Sequence, residues 1–240
     1  MKASSFIRVG LWVLLGLFLL APQLFADLLQ PLARNNAPAL YNQGSLLELA
    51  LIHLALTGGA IILASIVAVS FAILVTRPFG AEFLPLSRTI ANIGQTFPPV
   101  AVLALAVPIM GFGSAPTLVA LFLYGLLPIF ENTLTGLTNV PASVREAARA
   151  MGMTPRQRLF QVELPLAAPI ILAGIRVSTV ISLGTATIGS TVAARTLGEV
   201  IIAGLLTNNV AFIIQGGAIV GLLAILIHDA LVVVERRLAR

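Results

Sequence analysis

Side chains that could carry out acid–base or metal chemistry are few and widely spaced in this 240-residue chain. Its only histidines are His53 and His228, and it contains no cysteine. The lack of cysteine excludes disulfides, thiol nucleophiles and zinc–thiolate sites. No serine–histidine–aspartate constellation and no glycine-rich phosphate loop ending in Lys-Ser or Lys-Thr occurs. We therefore expect no enzyme active site, no bound metal and no ATP site on this chain.

A second set of polar residues could line a path for a small solute. Pro98 lacks a backbone donor and leaves a carbonyl that must be satisfied inside the protein. Gln95 and Thr96 lie shortly before it in the sequence. Thr185 and Thr187 lie in a later apolar stretch. Hydroxyl side chains also serve ordinary packing between helices, and that role is slightly favoured for each residue taken singly.

The composition indicates that these residues are positioned by a membrane protein. The chain is 58% hydrophobic and 10% charged, with a mean hydropathy of +1.04. Soluble domains carry about 25% charged residues. We expect an all-α, polytopic membrane protein forming one domain over residues 1–240. The net charge of +5 fits basic loops beside anionic lipid better than a nucleic-acid partner.

About six apolar stretches are candidates to cross the bilayer, for which a helix needs about 20 residues. The predicted stretches are Val9–Leu29, Leu46–Thr76, Ile90–Met110, Ala115–Phe130, Pro169–Ala194 and Val210–Val234. The second is longer than the hydrocarbon core, so we expect its first turns to stand outside the membrane or the helix to tilt.

The basic residues predict that both termini are cytoplasmic, because Lys and Arg concentrate in cytoplasmic loops. Residues on that side would be Lys2, Arg8, Arg77, Arg88, Arg145, Arg149, Arg156, Arg158, Arg236, Arg237 and Arg240. Only Arg34 and Arg195 would lie outside, and Arg176 falls within a stretch. Leu24-Phe25-Ala26 before Asp27 also fits a signal-peptide cleavage site, but we favour a retained first helix.

Ionisable residues inside the apolar stretches are functional candidates, since a charge is costly in the bilayer. His53, His228 and Asp229 could form a proton relay, although placement near the interface with access to water is favoured. Arg176 could form an ion pair, with Glu131 as a possible partner, or contact a solute.

The longest cytoplasmic segment, residues 139–165, carries strong helix signals. Ser143 and Glu146 have the spacing of a capping box, and Gly152 stands where a left-handed glycine ends a helix. The predicted apolar face of this helix comprises Val144, Ala147, Ala148 and Met151.

A second short helix should follow, because Thr154, Pro155 and Gln157 form another start signal. It should end near Leu164-Pro165. From physics alone, the two helices could lie on the lipid surface or dock a soluble partner.

Glu146-Ala147-Ala148, then Gly152, then Leu164-Pro165 resemble the EAA loop of binding-protein-dependent ABC importer permeases. The resemblance implies that this loop forms coupling helices seated in a cleft of the ATP-binding subunit. It further implies an extracytoplasmic substrate-binding protein and a second permease chain, identical or different. ATP and Mg²⁺ would be held by the partner ATPase, and the complex would lie in the bacterial cytoplasmic (inner) membrane.

Several motifs in the apolar stretches are similar to those of osmoprotectant permeases, which import glycine betaine, choline and related quaternary amines. They comprise residues 94–101, Pro108, residues 111–113, residues 184–188, residues 196–198 and Gly204-Leu205. The chain departs from the family in having Phe97-Pro98-Pro99 where many members have Ile-Pro-Ser. The resemblance implies import of glycine betaine or a similar osmolyte.

Two alternatives remain open from the sequence. The loop fits equally well in an ABC importer permease for another small solute, such as methionine or phosphonate. A different class, a proton-coupled secondary transporter using His228 and Asp229, is disfavoured by the ordered loop and by the scarcity of acidic residues in the stretches.

Overall fold

The computed structural model describes residues 2–33 and 37–238, with side chains from Phe6 onward. Arg34, Arg240 and the side chain of Lys2, which enter the orientation prediction, lie outside this description. Every regular element within it is helical. The α-helices are α1 (Lys2–Leu20), α2 (Ala26–Leu29), α3 (Leu46–Val75), α4 (Leu84–Thr96), α5 (Pro99–Met110), α6 (Ser114–Thr138), α7 (Ala142–Ala150), α8 (Pro155–Arg158), α9 (Leu164–Thr185), α10 (Gly198–Leu206) and α11 (Val210–Leu238).

The described helices confirm an all-α, polytopic membrane fold. Helical stretches that are long and apolar enough to cross a bilayer are Leu46–Val75, Ser114–Thr138, Pro155–Val192 and Val210–Leu238. Bent pairs are Phe6–Leu20 with Pro22–Leu32, and Ala81–Thr96 with Pro99–Met110. The described chain therefore has 4 candidate spans, or up to 6 if each bent pair counts as one.

The third predicted stretch, Ile90–Met110, is not one helix: α4 and α5 meet at a bend of 95°. Phe97 adopts an extended conformation with ψ of 132°, because the proline that follows it disfavours the helical region. Pro99 is the first residue of α5, a position whose N–H would have no partner within the helix, so the missing N–H costs no hydrogen bond. The first stretch is likewise broken, by 104° after Leu20.

The described helices divide into two compact units, and each of the four long helices contributes to both. Unit 1 comprises Met1–Gly59, Pro99–Leu121 and Val180–His228. Its main core gathers buried residues of α1, α3 and α11, including Leu15, Leu49, Phe212 and Ile219. Whether the whole chain acts as one domain stays a prediction.

Unit 2 comprises Ala60–Pro98, Phe122–Thr179 and Asp229–Arg240. On α3, the buried residues Ala64, Ala68 and Ala72 repeat every fourth position and pack against Ile129 and Phe130 of α6. Small residues of this kind let membrane helices approach closely.

Candidate functional site

Helix α7 begins earlier than the sequence predicts, and the Ser143–Glu146 capping box is wrong. Pro141 is the N-cap, and no side chain caps the helix. The backbone N–H groups of Val144 and Arg145 instead donate to the Pro141 carbonyl, at 3.1 and 3.2 Å. Because the helix starts at Ala142, Ser143 lies within its first turn and cannot act as the cap.

Gly152 ends α7 in the left-handed conformation that its position predicts, with φ of +77°. Its N–H donates to the Arg149 carbonyl at 2.9 Å, and the Met153 N–H donates to the Ala148 carbonyl at 3.1 Å. These two bonds form a Schellman motif, which satisfies carbonyls at the helix end. The turn between α7 and α8 is therefore rigidly defined.

Helix α8 has the predicted start but not the predicted end. Thr154 and Gln157 form both bonds of the capping box, and Pro155 occupies the first turn. The helix does not stop near Leu164-Pro165: it passes through a π-helical segment, Leu159–Glu163, directly into α9. A widened turn accommodates a proline that lacks the donor of a regular α-helical bond. The correction makes α8 continuous with a candidate span.

The apolar face predicted for α7 is divided between the protein interior and the surface. Ala148 is only 1% exposed and Val144 is half-buried, whereas Met151 is 73% exposed and Ala147 is also exposed. Phe160, which the sequence did not single out, is 57% exposed. Glu146 and Pro165 lie at the surface, and Leu164 is half-buried.

Two arginines fix this segment, and neither contact was predicted. Arg77 Nη2 lies 2.6 Å from Glu163 Oε2, and the Glu163 side chain is nearly buried. This ion pair joins the chain after α3 to the π-helical segment. The Arg145 guanidinium donates to the Val140 carbonyl at 2.9 Å and so holds the start of α7.

The partner proposed for Arg176 is wrong. Arg176 pairs with Glu235 of α11 at 3.0 Å, whereas Glu131 pairs with Arg88 of α4 at 3.0 Å. These partners are separated by 59 and 43 residues, so no local spacing in the sequence could identify them.

The predicted access of His53 to water is wrong: the side chain is fully buried, at 0% exposure. Its Nε2 lies 2.9 Å from the Leu183 carbonyl. Helix α9 ends at Thr185 and continues as the 3-10 segment Ala186–Val192, so carbonyls in its last turn need partners. His53 therefore supports the end of α9, while His228 is exposed and Asp229 is half-buried.

The five pathway candidates belong to different compact units. In unit 2, Gln95 donates to the Tyr124 carbonyl at 3.2 Å, Thr96 donates to Asn92 of its own helix at 2.8 Å, and Pro98 is exposed. In unit 1, the hydroxyls are also engaged locally. Thr185 donates to the Ile181 carbonyl at 2.9 Å, and Thr187 donates to the Gly184 carbonyl at 2.7 Å.

The sequence analysis singled out motifs near helix α10 in unit 1 but predicted neither this helix nor its contacts. The Tyr41 hydroxyl donates to Glu199 Oε1 at 2.7 Å, and the Tyr41 N–H donates to the buried Gln215 Oε1 at 2.9 Å. Burial, followed by the hydrogen bond to Glu199, raises the pKa of Tyr41. Tyr41 thus stays protonated and continues to donate at neutral pH.

Gly198, the first residue of α10, shows why this region needs a glycine. A Cβ at this position would lie 1.9 Å from the Thr187 carbonyl oxygen. The predicted motif around residues 196–198 is thereby explained as a close backbone approach between α10 and the 3-10 segment.

The sequence is similar to those of known transport proteins. Residues 60–240 match the family described as binding-protein-dependent transport system inner membrane component. The chain is 44% identical over 197 residues to the osmoprotectant import permease protein OsmY of Salmonella typhimurium, covering 82% of this chain and 84% of that protein. It is 42% identical over 198 residues to the choline transport system permease protein OpuBB of Bacillus subtilis, covering 82% and 90%.

A solved structure agrees at the level of the fold. The inward-facing MetNI methionine ABC transporter, in its native crystal form, matches with a TM-score of 0.72 at 24% identity, over 81% of this chain and 96% of that chain. The family match and the curated relatives both cover most of the sequence. The chain therefore belongs to the family of binding-protein-dependent inner-membrane transport components and is the permease subunit of an ABC importer.

Proposed function

We propose that this permease imports glycine betaine or a similar quaternary-amine osmolyte, driven by ATP hydrolysis on a partner. One observation carries the proposal. Relatives 39–44% identical over most of the chain are named for the transport of osmoprotectants, of choline, and of glycine betaine, carnitine and choline.

The segment from α7 to Leu164-Pro165 is the proposed docking element for the ATP-binding subunit. Glu146, Ala147, Ala148 and Gly152 carry its family resemblance. The exposure of Ala147, Met151 and Phe160 supports this role, because it leaves their apolar side chains available to a protein partner. Buried Ala148 and left-handed Gly152 would shape the element rather than contact the partner.

Motion of the docked element would reach the membrane through continuous structure. The π-helical segment joins α8 to α9 without a break, and the Arg77–Glu163 ion pair ties that segment to the end of α3. Displacement of α7 by the ATPase would therefore move two candidate spans together. The chain would thus have a coupling role and no catalytic one, with ATP and Mg²⁺ bound by the partner.

The working assembly would comprise two permease chains, two ATP-binding cassette subunits and an extracytoplasmic substrate-binding protein. Both termini of this chain would be cytoplasmic, which the distribution of Lys and Arg supports. Gln95, Thr96, Pro98, Thr185 and Thr187 are proposed to contact the solute during passage. Because these side chains are uncharged, each would contact the cargo weakly and release it readily.

Uptake by the purified complex in proteoliposomes tests the proposal. Labelled glycine betaine should accumulate only when both ATP and the substrate-binding protein are supplied. Accumulation driven by a pH gradient without ATP would contradict the energy source. Import of an amino acid such as methionine, with exclusion of quaternary amines, would contradict the substrate class.

A further inference from the structure

A pocket in unit 1 is lined by none of the five pathway candidates. It is formed by the chain before α3, the 3-10 segment Ala186–Val192 and α10, and has a volume of about 250 Å³. Drug-sized ligands occupy pockets of about 300–1,000 Å³, so this space suits a smaller solute. Its lining residues are Gln43, Ser190, Glu199, Ile202, Ala203, Leu206 and Thr207.

Glu199 gives the pocket a carboxylate held in a fixed place. Its Oε1 accepts the Tyr41 hydroxyl at 2.7 Å. Tyr41 is itself only 6% exposed, is bonded through its N–H to Gln215, and packs edge-on against Phe212 with ring centroids 5.5 Å apart. In the described chain, Oε2 accepts no hydrogen bond and Glu199 forms no ion pair. One carboxylate oxygen is thus positioned and the other remains available.

The charge and the walls of the pocket are complementary to a cation with an apolar surface. Among the described residues no Lys or Arg lines the pocket, and Arg195, the basic residue nearest to Glu199 in sequence, pairs with Glu48 at 2.9 Å. Ile202, Ala203 and Leu206 provide apolar walls beside the carboxylate. A quaternary ammonium needs a counter-charge and apolar contact for its methyl groups but no hydrogen-bond acceptor. A primary ammonium needs acceptors for its three N–H groups.

We propose that this pocket binds the quaternary ammonium group of the incoming solute before translocation, with Glu199 as its counter-ion. The inference rests on the proposed function and extends it to a specific site. The described lining residues include no aromatic side chain, so binding is weak, as a site of entry requires. A monocation such as choline binds better than zwitterionic glycine betaine, because the described lining offers no basic partner for the betaine carboxylate.

Two substitutions separate the charge of Glu199 from its structural bond. Glu199→Gln removes the charge but retains an oxygen that accepts the Tyr41 hydroxyl. Tyr41→Phe removes that hydrogen bond but retains the charge. Glu82→Gln serves as the matched control, since Glu82 is an exposed glutamate in the 3-10 segment Ala81–Phe83.

Binding is measured on the purified permease–ATPase complex without the substrate-binding protein, by saturation-transfer NMR with choline. Its uncharged isostere 3,3-dimethyl-1-butanol is the second probe. We expect transfer to the choline methyl groups in the wild-type complex, in Tyr41→Phe and in Glu82→Gln. Glu199→Gln should reduce it at least fivefold, and the isostere should give no comparable signal. Equal transfer in Glu199→Gln and wild type would overturn the inference, as would equal losses in Tyr41→Phe and Glu199→Gln.

Uptake by the same complex, with the substrate-binding protein present, distinguishes a failure of the pocket assignment from a failure of the proposed import function. With saturating solute, Glu199→Gln should lower the ratio of choline to glycine betaine uptake about fivefold, while Tyr41→Phe should leave it within twofold. An unchanged ratio in Glu199→Gln contradicts the pocket alone. A wild-type complex that imports neither solute contradicts the proposed function, and the pocket assignment falls with it.

Discussion

Gly152 lies in the proposed docking element, and the backbone conformation there favours a residue without a side chain. Its φ is +77°, and a Cβ built there would meet nothing within 4 Å. The cost of a substitution is therefore conformational rather than steric. A left-handed conformation costs an L-residue roughly 1–2 kcal/mol, and asparagine tolerates it better than most.

We predict that Gly152→Val abolishes uptake while leaving the amount of protein in the membrane near normal. The β-branched side chain disfavours the left-handed turn and would reorient α8 relative to α7. Gly152→Asn, which can adopt that turn, should retain most transport. Normal uptake by Gly152→Val in a complex that still binds the ATPase would show that the turn has no coupling role.

Glu146 differs from Gly152, because the capping role that the sequence predicts for it is not found in the structure. It is exposed and does not cap α7. We predict that Glu146→Lys leaves insertion unchanged but weakens co-purification of the ATPase, through reversed charge at the docking surface. Reversal at exposed Glu82 is the control. Undiminished co-purification with Glu146→Lys would place this residue outside the interface.

At the scale of elements, the sequence predicts helix positions better than helix continuity. Gly152 and the Thr154–Gln157 box are readable because a local conformation or a short spacing defines each. The break after Phe97 and the passage through Leu164-Pro165 both involve prolines, yet one ends a helix and the other does not. Which outcome occurs depends on whether neighbouring segments can hold a widened π turn, and the sequence contains no local signal for this.

The Arg77–Glu163 ion pair is the element contact most open to a test. Glu163 is buried, so removing Arg77 leaves a buried charge uncompensated, which costs on the order of 3 kcal/mol. We predict that Arg77→Ala and Glu163→Ala each lower uptake at least fivefold and reduce ATP hydrolysis less. The exchange Arg77→Glu with Glu163→Arg should restore part of the loss.

Arg88→Ala provides the matched control for this pair. Arg88 and Glu131 are bonded at a similar distance, but their side chains are 49% and 36% exposed. Exposed pairs contribute only about 0–1 kcal/mol, so uptake should change little. Equal effects of Arg88→Ala and Arg77→Ala would deny the Arg77–Glu163 pair any special role in coupling.

For the whole molecule, composition was sufficient to predict a polytopic helical membrane protein, and the resemblance of the loop around Glu146 and Gly152 was needed to predict a permease. They were not sufficient to place its interior polar contacts. The contact of His53 with the Leu183 carbonyl and the hydrogen bond from Tyr41 to Glu199 each join residues more than a hundred positions apart. Such pairs follow from how the helices assemble, and no periodicity within one helix encodes them.

We predict that introduced cysteines report a topology with both termini in the cytoplasm. The natural chain contains no cysteine, so single substitutions give no background. A thiol reagent that cannot cross membranes should label Asn42→Cys and Thr207→Cys in intact cells. It should label Met153→Cys and Leu238→Cys only after permeabilisation. Labelling of Met153→Cys from outside would reverse the whole orientation.

The central claim is that the exposed side of α7 docks the ATP-binding subunit, and neighbouring alanines test it most directly. Ala147 is exposed and Ala148 is 1% exposed. A short photoactivatable cross-linker attached to Ala147→Cys should capture the ATPase in assembled complexes. Ala148→Cys should resist modification in the folded complex and give no such product. Equal capture at both positions, or none at Ala147→Cys in a complex that transports normally, would contradict the account.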